Sequence, residues 1–320
     1  MSLRLLSGIC ILVLLLLAGG RSALAGKDPF GSWEITLISD GEAEGSSDLF
    51  VGADEALVKK YLPNGTYPTA IQYFLLRMPD KKTLLVDTGF GKKLLPGLHA
   101  LGLTPENIDA VLLTHMHSDH IGGMLTEGRP TFPRAKVYLA EPERAYWTDP
   151  ALTAQASPRG KEGFLNAQKV LAAYGKQVQT FEPGELEARG VELLPGVRAV
   201  AAFGHTPGHT MYLLGEGDRQ LLIWGDLTHA LAMQMPVPRT AMVYDVDPEK
   251  AVATRLKVLR YVSERQLPVA GMHIPAAGMG RVCDDGKGGY VFIPPRTSTG
   301  CDQGAPSETP PKESSPAPRG

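Results

Sequence analysis

Cysteine is scarce in this chain, with three in 320 residues. That excludes a cysteine-rich zinc scaffold and a dense disulfide framework. An excess of base is missing too: 32 Lys and Arg stand against 34 Asp and Glu, a formal net charge of −2. A nucleic-acid partner calls for a basic face, and the composition argues against one. Past residue 25 no apolar run approaches membrane-span length, so no stable span is expected there. No Gly-x-Ser-x-Gly elbow announces a serine nucleophile.

The start of the chain differs from the rest. Arg4 precedes a largely apolar stretch, Leu5 to Gly20, and Ala23-Leu24-Ala25 closes it with small residues at the −3 and −1 positions. This reads as a secretory signal peptide, residues 1–25, cleaved after Ala25. The alternative is an uncleaved anchor, for which the run is short. Cleavage removes Arg4 and Arg21 but no acid, taking the formal net charge from −2 to −4. The expected location is periplasmic or secreted. An oxidising compartment lets Cys283 and Cys301 pair across 18 residues, or leaves them as two unrelated thiols; both readings stay open. Arg296 to Gly320 holds five prolines and no large aliphatic or aromatic residue, so it cannot bury a core and is expected to be a disordered tail. The single domain is therefore expected over residues 26–295.

Within it, strands and helices alternate in two successive groups, which predicts an α/β protein. Trp33 to Ile38 reads as an edge strand ending in a turn at Asp40-Gly41. Tyr73 to Arg77 and Thr83 to Val86 flank a Pro79-Asp80 turn. Thr104 and Pro105 start a helix. Ala110 to Leu113 and Lys136 to Ala140 are strands, and Phe164, Ala167, Leu171 and Tyr174 fall at helical spacing. Val197 to Ala202, Met211 to Leu214, Leu221 to Trp224 and Val269 to Met272 follow as strands. A helix capped by Asp247 intervenes, with Val252, Leu256 and Leu259 expected inward, and Tyr290 to Ile293 adds a last strand.

The strand Ala110 to Leu113 delivers Thr114-His115-Met116-His117-Ser118-Asp119-His120, four potential metal ligands in six residues. Buried imidazoles and carboxylates each need a polar partner, so a purely structural role for such crowding is a poor fit. His115 and His117, two apart in extended chain, point the same way and can share one ion. Asp119 and His120 lie where the chain turns into a helix and aim elsewhere, at a second ion. Three further candidates sit at strand ends or in strand-joining loops: His209 in Gly204-His205-Thr206-Pro207-Gly208-His209-Thr210, Asp226 in Trp224-Gly225-Asp226, and His273.

In order and spacing, these segments resemble the metallo-β-lactamase superfamily across roughly residues 33 to 295. The resemblance implies an αββα sandwich, two mixed sheets face to face with helices outside. It implies that His115, His117 and His209 hold one metal, that Asp119, His120 and His273 hold a second, and that Asp226 bridges them. Asp119 and Asp226 would be the carboxylates of the catalytic centre. Asp87, in Val86-Asp87-Thr88-Gly89, would orient a ligand histidine, and His205 would brace the loop. Two divalent ions are implied, Zn²⁺ by donor type, with Mn²⁺, Fe²⁺ or Co²⁺ able to take such sites.

A two-metal centre brings bridging water towards ionisation at neutral pH, so hydrolysis of a small-molecule substrate is the expected reaction. True β-lactamases of the superfamily generally carry Cys or Ser where this chain has Asp226. The chain is most similar to the methyl parathion hydrolase and acyl-homoserine-lactone lactonase branch, through Trp224-Gly225-Asp226-Leu227-Thr228-His229, His273-Ile274-Pro275 and Glu143-Arg144-Ala145-Tyr146-Trp147. In that branch aromatics near Trp147 and Phe164 line an apolar leaving-group pocket; the alternative for both residues is core packing. Two departures stand out. The lactonases often place a substrate-contacting Tyr where this chain has His229, and the loop after Gly89 is short, so pocket residues carried there in phosphotriesterase relatives are expected to be absent. The expected activity is lactone or other carboxylic-ester hydrolysis, with promiscuous phosphotriester cleavage. The rivals are a persulfide dioxygenase type of mononuclear-iron oxidoreductase and a β-lactamase. A homodimer is compatible with this reading.

Overall fold

The computed structural model describes residues 14–15, 23–30, 33–276, 278–295 and 301. Period-two burial organises it. Along Thr66–Arg77, Phe74 and Leu76 face one way while Tyr73 and Leu75 face the other. Leu84 and Val86 oppose Leu85, and Ala110 and Leu112 oppose Val111. Tyr212, Leu214, Leu221 and Ile223 oppose Met211, Leu213 and Leu222 in the second half. One face of each sheet therefore meets the other sheet, and the opposite face of each meets helices.

The first sheet runs in the order Leu14–Leu15, Ala23–Phe30, Trp33–Ser46, Thr66–Arg77, Thr83–Val86, Ala110–Leu112, Lys136–Ala140, Val178–Phe181. Its last four strands are parallel. The second runs Val191–Leu194, Val197–Ala201, Thr210–Glu216, Arg219–Ile223, Val269–Ala270, Met279–Asp284, Tyr290–Ile293, with Arg219–Ile223 and Val269–Ala270 parallel. The helix Pro158–Tyr174 covers the first sheet through Phe164, Ala167, Val170 and Tyr174. The helix Pro248–Arg265 covers the second through Val258, Leu259 and Val262. This is the expected four-layer αββα arrangement. A small ribbon, Phe50–Val51 with Ala241–Met242, joins the two halves at one end.

Three local expectations change. Trp33 does not begin a short edge strand: it lies between two neighbours, and the strand passes Asp40-Gly41 through a register shift and runs on to Ser46. Leu171 is only partly buried, and Val170 takes its inward place. In the last helix the buried face is Ala251, Arg255, Val258, Leu259 and Val262, with Val252 and Leu256 at its margins. An arginine on that face hides the stripe from an apolar count. The Arg255 guanidinium, 1% exposed, donates to the carbonyls of Leu227 (2.7 Å), Pro238 (3.1 Å) and Thr240 (2.7 Å). Cys283 and Cys301 form a disulfide with Cα atoms 5.5 Å apart, which settles that open pair.

The expected signal peptide lies largely outside the described residues, although the strand Ala23–Phe30 crosses the cleavage point after Ala25. The expected tail also lies outside them, apart from Cys301. No helix among the described residues is long and apolar enough to cross a membrane.

Replacing Arg255 by Met strips the Leu227 and Pro238 carbonyls of their donor and leaves Thr240 O with Gln234 Nε2 alone, at 3.1 Å. Urea unfolding should show a loss of about 3 kcal/mol; an unchanged midpoint would mean that the 227–240 segment finds other donors.

Candidate metal centre

The strand Ala110–Leu112 ends against Asp87, whose Oδ1 accepts the Thr114 amide (2.8 Å) and whose Oδ2 accepts the Thr114 hydroxyl (2.7 Å). Asp87 itself has φ +59°, a left-handed backbone that turns its carboxylate under the histidine loop. The short helix Ser118–Ile121 then carries Asp119 and His120. From the second sheet, Thr210 is tied to Thr114 by its amide (2.9 Å), and the Tyr212 hydroxyl donates to Leu113 O (2.7 Å). The loop 202–209 is thereby set beside the histidine run. Gly225, with φ +59°, delivers Asp226; a Cβ there would fall 2.4 Å from His209 Nε2, so only glycine fits.

Everything converges on Asp226. Its Oδ2 lies 3.0 Å from Nε2 of His229 and of His273, 3.3 Å from His205 Nε2 and 3.7 Å from His115 Nε2. Its Oδ1 lies 3.1 Å from His120 Nε2. Beside it, His117 Nδ1 is 3.0 Å from His115 Nε2 and 2.9 Å from His205 Nε2. Asp119 Oδ2 is 3.7 Å from His120 Nε2 and 3.6 Å from His273 Nε2. The groups able to hold an ion are His115, His117, His205 and Asp226; Asp119, His120 and His273; and Asp226, His229 and His273.

The residues fit a divalent cation. Three imidazole nitrogens face one another at hydrogen-bond distance, where few protons can satisfy several lone pairs. His120 Nε2 and Asp226 Oδ1 are buried without a hydrogen-bond partner. Burial, with neighbouring imidazoles, pushes His115 well below its ordinary pKa and His117 down to about 3, keeping both neutral and ligand-competent. At His205 burial opposes the charge, but Asp226 and Asp245 overcome it and hold the ring at about 9. At His120 burial likewise opposes charge, and Asp226, Asp119 and Asp87 outweigh it. The acids thus create a field that favours positive charge at the cluster.

The placement of two residues differs from expectation. His209 stands outside the cluster: its Nδ1 bonds Ala202 O (2.9 Å) and its Nε2 accepts the Asp226 amide (3.0 Å). Both ring nitrogens are used on backbone, so it braces the loop. His205, expected as the brace, points Nε2 into the cluster and bonds Asp245 through Nδ1 (2.9 Å). The two histidines exchange places relative to that expectation. Asp87 meets His120 Nδ1 at 2.7 Å, the orienting contact expected of it.

Two acids hold positions to which the sequence reading gave no role. Asp245 orients His205. Glu143, fully buried, accepts from the Met116 amide (2.9 Å), Trp147 Nε1 (2.6 Å), the Thr206 hydroxyl (2.6 Å) and the Gly208 amide (2.9 Å). It ties the first histidine loop to the second. Its signal is faint, an acid one turn before a tryptophan on one helix face.

A cleft of about 710 Å³ opens over the cluster, lined in part by His117, Asp119, Trp147, Phe164, His229 and Tyr244. Trp147 and Phe164 serve both readings offered for them, since each is 4% exposed, packs in the first-sheet core and borders the cleft. The loop after Gly89 does reach the cleft, through Phe90.

The family model described as the metallo-beta-lactamase superfamily matches residues 66–270. The chain belongs to the metallo-β-lactamase superfamily. Among solved members, the hydrolase AbOPH of the beta-lactamase superfamily is 30% identical, covers 82% of this chain and 94% of its own, and superposes with a TM-score of 0.72. AidC, a dizinc quorum-quenching lactonase solved with N-hexanoyl-L-homoserine, is 25% identical over 82% of this chain and 95% of its own, also at 0.72. Curated relatives match locally. The anti-Pycsar protein Apyc1 of Paenibacillus sp. (strain J14) is 39% identical over 74 residues, 23% of this chain and 26% of its own length. Exodeoxyribonuclease WalJ of Streptococcus pneumoniae is 53% identical over 46 residues, 14% and 17% of the two lengths. The chain thus spans about a quarter or less of these curated relatives.

Two outcomes follow from this geometry. His205→Ala should lower bound metal, read by elemental analysis after dialysis, whereas His209→Ala should retain metal and lose stability; the reverse pattern would restore His209 as the ligand. Glu143→Ala leaves four donors without an acceptor. It should cost about 3 kcal/mol of stability in the metal-free protein and weaken metal affinity by about 10–100-fold in a chelator competition.

Proposed function

We propose that this chain is an exported dinuclear metal-dependent hydrolase that cleaves a lactone or another carboxylic ester with an apolar moiety. The observation that carries the reading is the reach of Asp226. One oxygen faces His205 at 3.3 Å in the group with His115 and His117, and the other faces His120 at 3.1 Å in the group with Asp119 and His273. A carboxylate shared by two ligand groups is what a bridged pair of ions requires. Neutral imidazoles with carboxylates suit Zn²⁺. When bound, such ions supply Lewis acidity and make water a nucleophile near neutral pH. The chain's own part is to hold the substrate and exclude bulk water. Trp147 and Phe164 give one apolar wall, and Leu49, Ile71 and Val243 give another. Asp226 in place of Cys or Ser argues against β-lactam cleavage. The 25% likeness to a dizinc lactonase over 82% of the chain supports the lactone side. The N-terminal apolar run with its Ala-x-Ala end supports export.

The reading is tested by turnover of zinc-loaded protein on lactones, aryl esters, phosphotriesters, thioesters and β-lactams, alongside elemental analysis. Lactones or aryl esters should lead, with about two metals per chain. Asp226→Ala should reduce kcat/KM by about 100-fold or more. A single iron per chain, or no substrate cleaved faster than by the Asp226→Ala variant, would sink the proposal.

A further inference from the structure

The turn at residues 242–246 is braced from several sides. The Asp245 amide donates to Met242 O (3.0 Å), and the Met242 amide donates back to Asp245 Oδ2 (2.8 Å). The Val243 amide reaches Leu49 O (2.9 Å), and the Val246 amide reaches His205 O (3.0 Å). Asp245 Oδ1 holds His205 Nδ1 at 2.9 Å. A turn this closely tied to a candidate metal ligand is a rigid mount; it presents Val243 and Tyr244 to the cleft, and Tyr244 is the one beside His229.

The Tyr244 ring lies 5.6 Å from the His229 ring and lines the same cleft as Asp119, Asp226 and His273. Among the described residues, no hydrogen-bond partner holds its hydroxyl. What sets Tyr244 apart from the other cleft tyrosines is the ring it rests on, a histidine of the cluster. Tyr146 packs on Trp147 and Phe164 at 5.1 and 5.2 Å, and Tyr67 on Phe50 at 5.3 Å. Burial, opposed by Arg159 and helped by Asp119, keeps the Tyr244 phenol above its ordinary pKa, so it remains a donor at neutral pH.

We propose that Tyr244 is a catalytic residue whose hydroxyl donates a hydrogen bond to the leaving oxygen as the acyl C–O bond breaks. The proposal rests on the ester-hydrolase reading. The chemistry balances with water alone: its hydroxyl joins the acyl carbon, its proton ends on the leaving oxygen, and the phenol keeps its own proton. A fixed donor aimed at developing charge stabilises the transition state more than the bound ester.

The test compares zinc-loaded wild type and Tyr244→Phe on an alkyl lactone and on a nitrophenyl ester of the same acyl group. An alkoxide needs the donor far more than a nitrophenolate. The variant should lose about 100-fold in kcat on the lactone and much less on the nitrophenyl ester. KM, zinc content and melting temperature should stay put. Equal losses on both substrates, or none, would overturn the role of Tyr244. If the wild type cleaves neither substrate, the ester reading itself fails and this proposal falls with it; wild-type turnover without a variant effect removes Tyr244 alone.

Discussion

Five imidazole nitrogens crowd one buried carboxylate, that of Asp226, at the seam between the two sheets. Such a cluster is expensive to assemble. Each ring is dehydrated, and several are forced to face one another with lone pairs inward. The rest of the structure is arranged to hold them there. The sandwich brings the ends of Ala110–Leu112, Arg219–Ile223 and Val269–Ala270 to one edge, and the ligand loops leave from those ends.

Orientation is secured from behind. His120 is fixed by Asp87, His205 by Asp245, His273 by the carbonyl of Ala70 and His115 by the Thr114 hydroxyl. Each partner engages the ring nitrogen remote from the centre, which orients the ring and turns its inner nitrogen to the centre. His229 breaks the pattern. Its Nδ1 is buried with no partner, and its ring is held instead by stacking on His273 at 4.7 Å. His117 also lacks a rear partner among the described residues, but its outer nitrogen is not fully buried; a buried and unpaired rear nitrogen such as that of His229 is poorly suited to a permanent ligand. That favours His229 as a cleft residue over an eighth donor, although its inner nitrogen approaches Asp226 as closely as that of His273.

The sequence was most legible where geometry follows from spacing. Alternating burial made the strands readable, and the tight run from His115 to His120 could hardly mean anything but a cation site. It was least legible where two candidates share one loop. His205 and His209 lie four residues apart in a Gly-rich turn, and only the path of that turn decides which ring faces the centre. Glu143 and Arg255 were hidden for a related reason. Each is a charge on a face that should be apolar, and its justification lies in loops distant along the chain: Thr206 and Gly208 for Glu143, and Leu227, Pro238 and Thr240 for Arg255. Local pattern cannot show a partner that only the fold supplies.

The same division separates chemistry from selectivity. The ligands sit on strand ends buried in the core, where a shift of one residue would unmake the cluster. The cleft walls come from other elements: Trp147 and Phe164 from helices on the first sheet, Val243 and Tyr244 from the turn after the small ribbon, Phe90 from the loop behind Gly89. Side chains there can vary without moving a metal ligand, except at Trp147 and in the turn around Asp245, which holds His205. Trp147 donates to Glu143, and Glu143 holds both histidine loops. Reshaping that wall therefore reaches the centre itself, whereas reshaping the wall at Phe90, which is 45% exposed, does not. Substrate range is freest to diverge on the exposed side of the cleft and most constrained on the side of Trp147.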